Sequence, residues 1–542
     1  MRRSIVFLVL TMLMMFVAKG HAAPGQIDTR FGTGGMAIAV PTVNGSARFI
    51  TTDGAGKIFA TGSASSIAAT PVVDTRKHEL IVRWQSDGTP DPTFNGTGLY
   101  QAPLSPDDIF SVNAIRDHEG MGLFFLDANR WLAIRAQDYY CLAPAACSGH
   151  QPRIAGRVIY DHGGADPDFW SPEMGFGAPD RTQLIFDRAD GVVIVGSGND
   201  NLYGAGKTSL AKVRIDGTTD VSFNAAIRAD YRLGCQSLTT LGTDRRSRGK
   251  ALRLPNGKVL LAQGIEVNPP YPFDSQPASA NPHRLCLSRF QPDGQRDTSF
   301  ADQGDRVFDS LPFSSARIEP VGLFAQPGGG HVLLLQRTLS PEMGSTKGYT
   351  LVWLNEEGLL DIRYGNNLGY SNLNVVPVAV ITAVTMQTDG YLLLAGYAPV
   401  NASSPVQEID YNRPLLMRLH PQGGIDLTFG PTGGRSTDLI VQGKRLHPNA
   451  IHVAADGSIF VAGAAADGAL TSGITTQFAV MKLQGNPPTA QQPAASTGAG
   501  TGSGGGCGIT RDARFDPTWL AMLLLAASML WQHRSAKQKN RM

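Results

Sequence analysis

The chain has 542 residues, 42% of them hydrophobic and 17% charged, with 62 glycines, 34 prolines and a formal net charge of +2. That apolar fraction supports a packed core, and the composition excludes a mostly disordered chain or a long coiled coil. Long apolar runs are confined to the two ends, which excludes a polytopic membrane protein.

Residues 1–22 read as a secretory signal. Arg2 and Arg3 precede an apolar run from Ile5 to Val17, broken only by Thr11, and Gly20-His21-Ala22 offers small residues for cleavage between Ala22 and Ala23. The run is shorter than the roughly 20 residues a membrane span needs. Export, with signal peptidase as the first processing partner, is expected.

Residues 23–485 carry one motif seven times. The pattern G-x-x-D-x-x-F/Y ends at Asp28/Phe31, Asp91/Phe94, Asp166/Phe169, Asp220/Phe223, Asp297/Phe300, Asp361/Tyr364 and Asp426/Phe429. Its copies stand 54–77 residues apart. Gly-containing turns such as Asp190-Gly191 and Asn256-Gly257, each followed by a short apolar run, alternate with it and signal hairpins. Short half-buried strands such as Leu80–Trp84 and Leu415–Leu419 precede the motif. No long segment of 3.6-residue period occurs outside the two ends. Each repeat therefore reads as four antiparallel strands, and seven of them as an all-β, seven-bladed propeller. The last repeat lacks its own motif copy, while an orphan copy lies at Gly25–Phe31. The N-terminal strand is thus expected to complete the seventh blade and close the ring, removing exposed edges.

The segments Asp216–Phe223 and Asp28–Gly35 resemble the bacterial delta-60 repeat family over roughly residues 25–484. The second blade departs from the pattern, with Gly163-Gly164 and Asp168-Phe169-Trp170, and the fifth carries Tyr364. The resemblance implies a secreted or cell-surface repeat protein and no common activity.

Residues 486–506 are rich in Pro, Ala, Thr, Ser and Gly, carry no charge and read as a flexible linker. Residues 507–542 follow as a tail with an apolar segment, Trp519 to Trp531, and a basic end, Arg534, Lys537, Lys539 and Arg541. As a helix that segment would rise about 20 Å, short against a hydrocarbon core of about 30 Å. Its basic end is expected to stay cytoplasmic. A glycine run at Gly504, Gly505 and Gly506, then Cys507, then Phe515-Asp516-Pro517-Thr518, resembles bacterial C-terminal sorting tails of the JDVT-CTERM and GlyGly-CTERM types. The resemblance implies an intramembrane sorting protease as a partner, with Gly505, Gly506, Cys507, Asp516 and Thr518 in the processing region. A plain tail anchor is the alternative. The expected course is an inner-membrane-anchored precursor, then a cell-surface or extracellular protein of a Gram-negative envelope.

Taking Arg2, Arg3, Lys19 and the four basic tail residues from +2 leaves −5 for the body, which argues against nucleic acid as a partner. Sevenfold repetition marks the Asp and aromatic positions as architecture, since a catalytic site is built once. Gly204-Ala205-Gly206-Lys207-Thr208 imitates a phosphate loop, but Asn201 stands where its first glycine belongs and a strand follows. His447 and His452 have no metal-ligand spacing, and no cofactor is expected.

Export permits disulfides, and Cys141–Cys147 and Cys235–Cys286 are the expected pairs, with Cys507 left over. Buried free thiols are the alternative. Trp131, Tyr139 and Tyr140 beside Cys141 form the candidate binding loop. The leading expectation is a non-enzymatic module that binds protein or glycan through its loops. A propeller enzyme acting on polysaccharide, with Asp107, Asp108 and His118 as candidates, and a passive spacer are the alternatives.

Overall fold

The computed structural model describes residues 24–39, 43–65, 77–103, 109–111, 114–141, 153–166, 169–170, 182–198, 207–230, 249–266, 283–308, 311, 317–339, 346–373, 380–398, 413–431, 435–436, 439–467 and 475–485. The predicted signal, linker and tail lie outside them. Among the described residues no helix is long and apolar enough to cross a membrane.

Seven antiparallel sheets follow one another as the blades of a propeller. Blade 1 shows the pattern: Val43–Thr52, Ile58–Ser65, Lys77–Trp84 and Leu99–Gln101, each paired with the next. Both hydrophobic faces of each blade are buried, which is why second and third strands are almost continuously apolar. Ile459–Ala466 in blade 7, for example, is buried at every position. The apolar core is accordingly divided among the seams between neighbouring blades. One seam cluster joins blades 1 and 2 through Phe59, Ile81 and Trp131, and another joins blades 6 and 7 through Leu393, Leu416 and Val461. A third joins blade 7 back to blade 1 through Phe460, Val480, Ile58 and Leu80.

The N-terminal strand Met36–Ile38 pairs antiparallel with the third strand of blade 7, Gln477–Leu483, placing Met36 opposite Met481 and Ile38 opposite Ala479. The ring is closed as the orphan motif copy implied.

Connections between first and second strands, and between third and fourth, fall on one face, here the turn face. Connections between second and third strands, and between blades, fall on the other, the loop face.

Blade 3 departs from the sequence reading. Among the described residues it has three strands, Gln183–Asp187, Gly191–Gly198 and Lys207–Val213, followed by a helix, Val221–Asp230. In the other blades except blade 2 the residues after the motif aromatic adopt positive φ, at Gly32, Gly34, Asn95, Gly96, Gly304 and Gly365 for example, and the chain turns into a fourth strand. Blade 3 has Asn224-Ala225-Ala226 there and no glycine, so the chain continues as a helix. The Asp220 carboxylate starts it by accepting hydrogen bonds from Ser222 Oγ at 2.8 Å and Phe223 N at 3.1 Å.

Candidate functional site

The repeated motif is a joint between blades. In all seven copies the Asp amide donates to a carbonyl of the third strand, from Asp361 N to Trp353 O at 2.8 Å to Asp426 N to Arg418 O at 3.0 Å. The carboxylate also accepts an N–H two residues on, as from Thr93 to Asp91 at 3.1 Å and Thr428 to Asp426 at 2.9 Å. The motif glycine has positive φ and lies against the preceding blade. A Cβ on Gly88 would stand 2.9 Å from the Phe31 ring, and one on Gly25 2.8 Å from Phe429, so no larger residue fits.

A cation eight residues before the Asp completes the joint. Arg83 meets Asp91 at 2.8 Å, Lys212 meets Asp220 at 3.3 Å, Arg289 meets Asp297 at 2.5 Å and Arg418 meets Asp426 at 2.6 Å. In the closing blade Lys482 stands 3.7 Å from Asp28. The same cations lie over the motif rings, 5.0 Å for Arg83 on Phe94, 5.5 Å for Lys212 on Phe223, 4.5 Å for Arg289 on Phe300 and 4.9 Å for Arg418 on Phe429. Arg83, Lys212 and Arg289 also donate to the carbonyls of Asp161, Pro292 and Glu356 in the next blade's turn, at 2.9, 3.4 and 3.3 Å. Sequence reasoning missed this cation, although its fixed offset was visible.

Burial opposes ionisation of Asp297, but hydrogen bonds from Lys258, Ser299 and Arg289 outweigh it and hold the carboxyl far below its ordinary value. Asp91, Asp220 and Asp426 shift in the same direction against the same burial cost. These acids are committed to the joints. Blades 2 and 5 vary the scheme: Val158 replaces the cation and Tyr160 OH donates to both Asp166 oxygens at 3.0 Å, while the exposed Arg363 pairs with Asp361 at 2.6 Å. Phe169 differs from the other motif aromatics in lying on an outer strand, Phe169–Trp170, opposite Gly156.

The first strands form the inner ring, and five of them bulge, at Arg48, Met121, Val321, Thr382 and Asn449. Gly62, Gly396 and Gly463 on the second strands face three of these bulges, where a Cβ would overlap the first-strand carbonyl. Bulge side chains reach the next blade: Thr382 Oγ1 donates to Pro448 O at 2.7 Å, Asn449 Nδ2 to Ala47 O at 3.1 Å and Arg48 Nε to Glu119 Oε1 at 2.5 Å.

Polar residues that do not repeat gather at the loop-face end of the blade 1–2 seam. Glu79 is fully buried, with Arg135 at 3.7 Å and Arg157 at 3.8 Å. Arg157 Nη1 donates to Tyr100 OH at 2.6 Å. His118 is buried opposite Gln137 on the adjacent strand, and the Asp117 carboxylate accepts the Lys77 amide at 3.0 Å. Arg48–Glu119 borders the same seam. Both glutamates are paired with arginine.

The backbone of Tyr139, Tyr140 and Cys141 lies in blade 2, opposite Arg116, Ile115 and Ala114. Trp131 is separated from Tyr140 along the same strand by about 30 Å. It is 3% exposed and packs on Phe59 at 4.0 Å between ring centroids, so it belongs to the core and not to a surface patch. Lys207 and Thr208 of the phosphate-loop imitation lie on a strand. Cys286 is buried on His283–Phe290. Ala22, Ala23, Asp107, Asp108, Cys147, Cys235 and the predicted processing residues of the tail lie outside the described residues. Among the described residues no group of three or more His, Cys, Asp or Glu side chains is placed to hold a metal ion.

No family model and no curated protein matches the chain. Solved structures similar to it include a GH43 endo-arabinanase from Bacillus licheniformis, 11% identical with a TM-score of 0.24, the match covering 57% of this chain and 94% of that one. A xylan β-1,4-xylosidase from Bacillus halodurans C-125 is 11% identical with a TM-score of 0.25, covering 81% and 84%. A family 32 glycoside hydrolase from Bifidobacterium adolescentis is 10% identical with a TM-score of 0.27, covering 84% and 80%. Scores this low align no site with this chain.

Proposed function

We propose that this chain is an exported envelope propeller of the delta-60 repeat kind that binds a protein or glycan through its loop face. Signal peptidase would release it at Ala23. The segment Trp519–Trp531 would hold the precursor at the inner membrane until a sorting protease acts, after which the propeller is presented at the surface or released. The observation that carries the binding role is a division of labour. The sevenfold acids are committed to blade joints, whereas Glu79, Arg135, Arg157, Tyr100 and His118 occur once and gather, buried, in one seam beneath the loop face, where they support the loops above them. The disulfides Cys141–Cys147 and Cys235–Cys286 belong to the same reading, the first tying the strand end that carries Tyr139 and Tyr140.

The test is binding of the propeller, residues 23–485, to immobilised envelope glycans and surface proteins. Saturable binding lost in Tyr139→Ala and Tyr140→Ala, with the thermal midpoint unchanged, supports the reading. Absence of saturable binding to any of them would leave a passive spacer. Turnover of a polysaccharide by the same preparation would favour the enzyme.

A further inference from the structure

We infer that the turn face, on the wedge formed by blades 5 to 7, is the surface that lies against a lipid bilayer. The inference rests on the proposed export signal and tail anchor. Both ends of the propeller leave from this face. At the start, Pro24 O accepts Gly430 N at 2.7 Å and Gly25 N donates to Gln484 O at 2.7 Å, so the ring-closing segment is seated from its second mature residue. Residues 18–23 separate it from the apolar run that ends at Val17 and reach at most about 20 Å. While the signal is attached, the closed ring can only stand with this face toward the membrane.

At the other end, the third strand of blade 7 runs to the turn face, and Gly485 sits against Gly457 in the first hairpin turn of that blade. Residues 486–518, which begin with the expected linker 486–506, then separate Gly485 from Trp519, and as a random coil they would span about 30 Å. That is comparable to a propeller's own dimensions and keeps the exit face at high effective concentration near the bilayer.

The side chains beside these exits suit a lipid surface. Among the described residues, every exposed large apolar side chain but Ile440 lies on the turn face. Leu427, 71% exposed, stands in the motif turn of Phe429, whose ring contacts Gly25. The preceding blade presents Leu359, Ile362 and Leu368, with Ile362 62% exposed. Arg363 and Arg30 flank this wedge, exposed while paired with Asp361 and Asp28. Long cationic side chains at the edge of an apolar patch reach anionic headgroups. Glu356 and Glu357 in the blade 5 turn limit the contact to headgroup depth.

The test uses the chain from Ala23 to Met542 reconstituted in vesicles of phosphatidylethanolamine and phosphatidylglycerol. A photo-crosslinking residue is introduced as Leu427→p-benzoylphenylalanine, Ile362→p-benzoylphenylalanine or, on the loop face, Ile440→p-benzoylphenylalanine. Lipid adducts at 427 and 362 and none at 440 are expected. Vesicle-retained protein with adducts equal at all three positions, or at none, overturns the membrane-facing surface alone. Protein that an alkaline wash removes from the vesicles overturns the anchor reading and the surface with it. Circular dichroism of each variant separates a misfolded ring from a true negative, and Leu359→p-benzoylphenylalanine replaces any variant that fails to fold.

Discussion

The indole N–H of Trp353 donates to the carbonyl of Pro421 in the next blade at 3.1 Å, the bond that Arg83, Lys212 and Arg289 make from the same position of their own blades. A neutral side chain has replaced a cation without loss of the tie. Trp353 also stacks on Tyr364, the blade's motif aromatic, with ring centroids 5.7 Å apart. Trp353→Phe keeps an aromatic ring and removes the donor. It should destabilise the propeller by at least about 1 kcal/mol in denaturant unfolding. An unchanged midpoint would mean that the tie is dispensable.

Arg418 and Asp426 are both 2% exposed at their side chains. Arg418→Met leaves a buried carboxylate without its partner and should cost about 3–5 kcal/mol, whereas the double replacement with Asp426→Asn should recover much of the loss. Arg30, 83% exposed beside Asp28, offers the contrast, and Arg30→Ala should leave the unfolding midpoint essentially unchanged. A double-mutant cycle in denaturant unfolding measures both.

The joints also fix the acid response. Asp91, Asp220, Asp297 and Asp426 have folded-state carboxyl pKa values below those of the unfolded chain. The unfolded state therefore binds more protons as the pH falls, and their contribution, complete above the ordinary carboxylate range, is lost from about pH 5 downward. His331 acts in a higher window. Burial, aided by the charge of Arg289, lowers it from 6.5 to about 4, so its contribution is complete above 6.5 and lost as the pH falls through about 4. His331→Gln should flatten the pH dependence of stability between those values and leave the more acidic loss in place, as read from urea midpoints across the range.

In blade 3 the Asn224 amide takes the place of a strand edge. Its Oδ1 accepts Lys212 N at 2.8 Å and its Nδ2 donates to Lys212 O at 3.3 Å. In blade 1 the amide of Arg83 instead donates to Gly98 O at 2.8 Å. Asn224→Ala should leave the Lys212 amide unpaired, while its carbonyl still accepts Asp220 N, and cost about 1–3 kcal/mol, seen as a lowered thermal midpoint.

The blade count and ring closure were legible because G-x-x-D-x-x-F is a backbone device: a positive-φ glycine, a capping acid and a seam-filling ring must sit at fixed spacing to make the turn. The cation at Arg83, Lys212, Arg289 and Arg418 was harder to read. In sequence it is one polar residue in an alternating strand, and only the fold carries it across to the next blade. The helix at Val221–Asp230 was signalled by missing glycines, a cue weaker than a hydrophobic period. Trp131 was misplaced because nearness in sequence to Tyr139 and Tyr140 says little along an extended strand. The seam around Glu79 was illegible, since Glu79, Tyr100, Arg135 and Arg157 come from four strands of two blades.

The intact mass of the protein from fractionated cells tests the central claim most directly. A mature chain that begins at Ala23 and lacks the residues after the Cys507 region is predicted, with any added mass on the new end identifying its attachment. A mass that retains Met1, or that retains Trp519–Met542 in every fraction, would contradict an exported propeller processed at its tail.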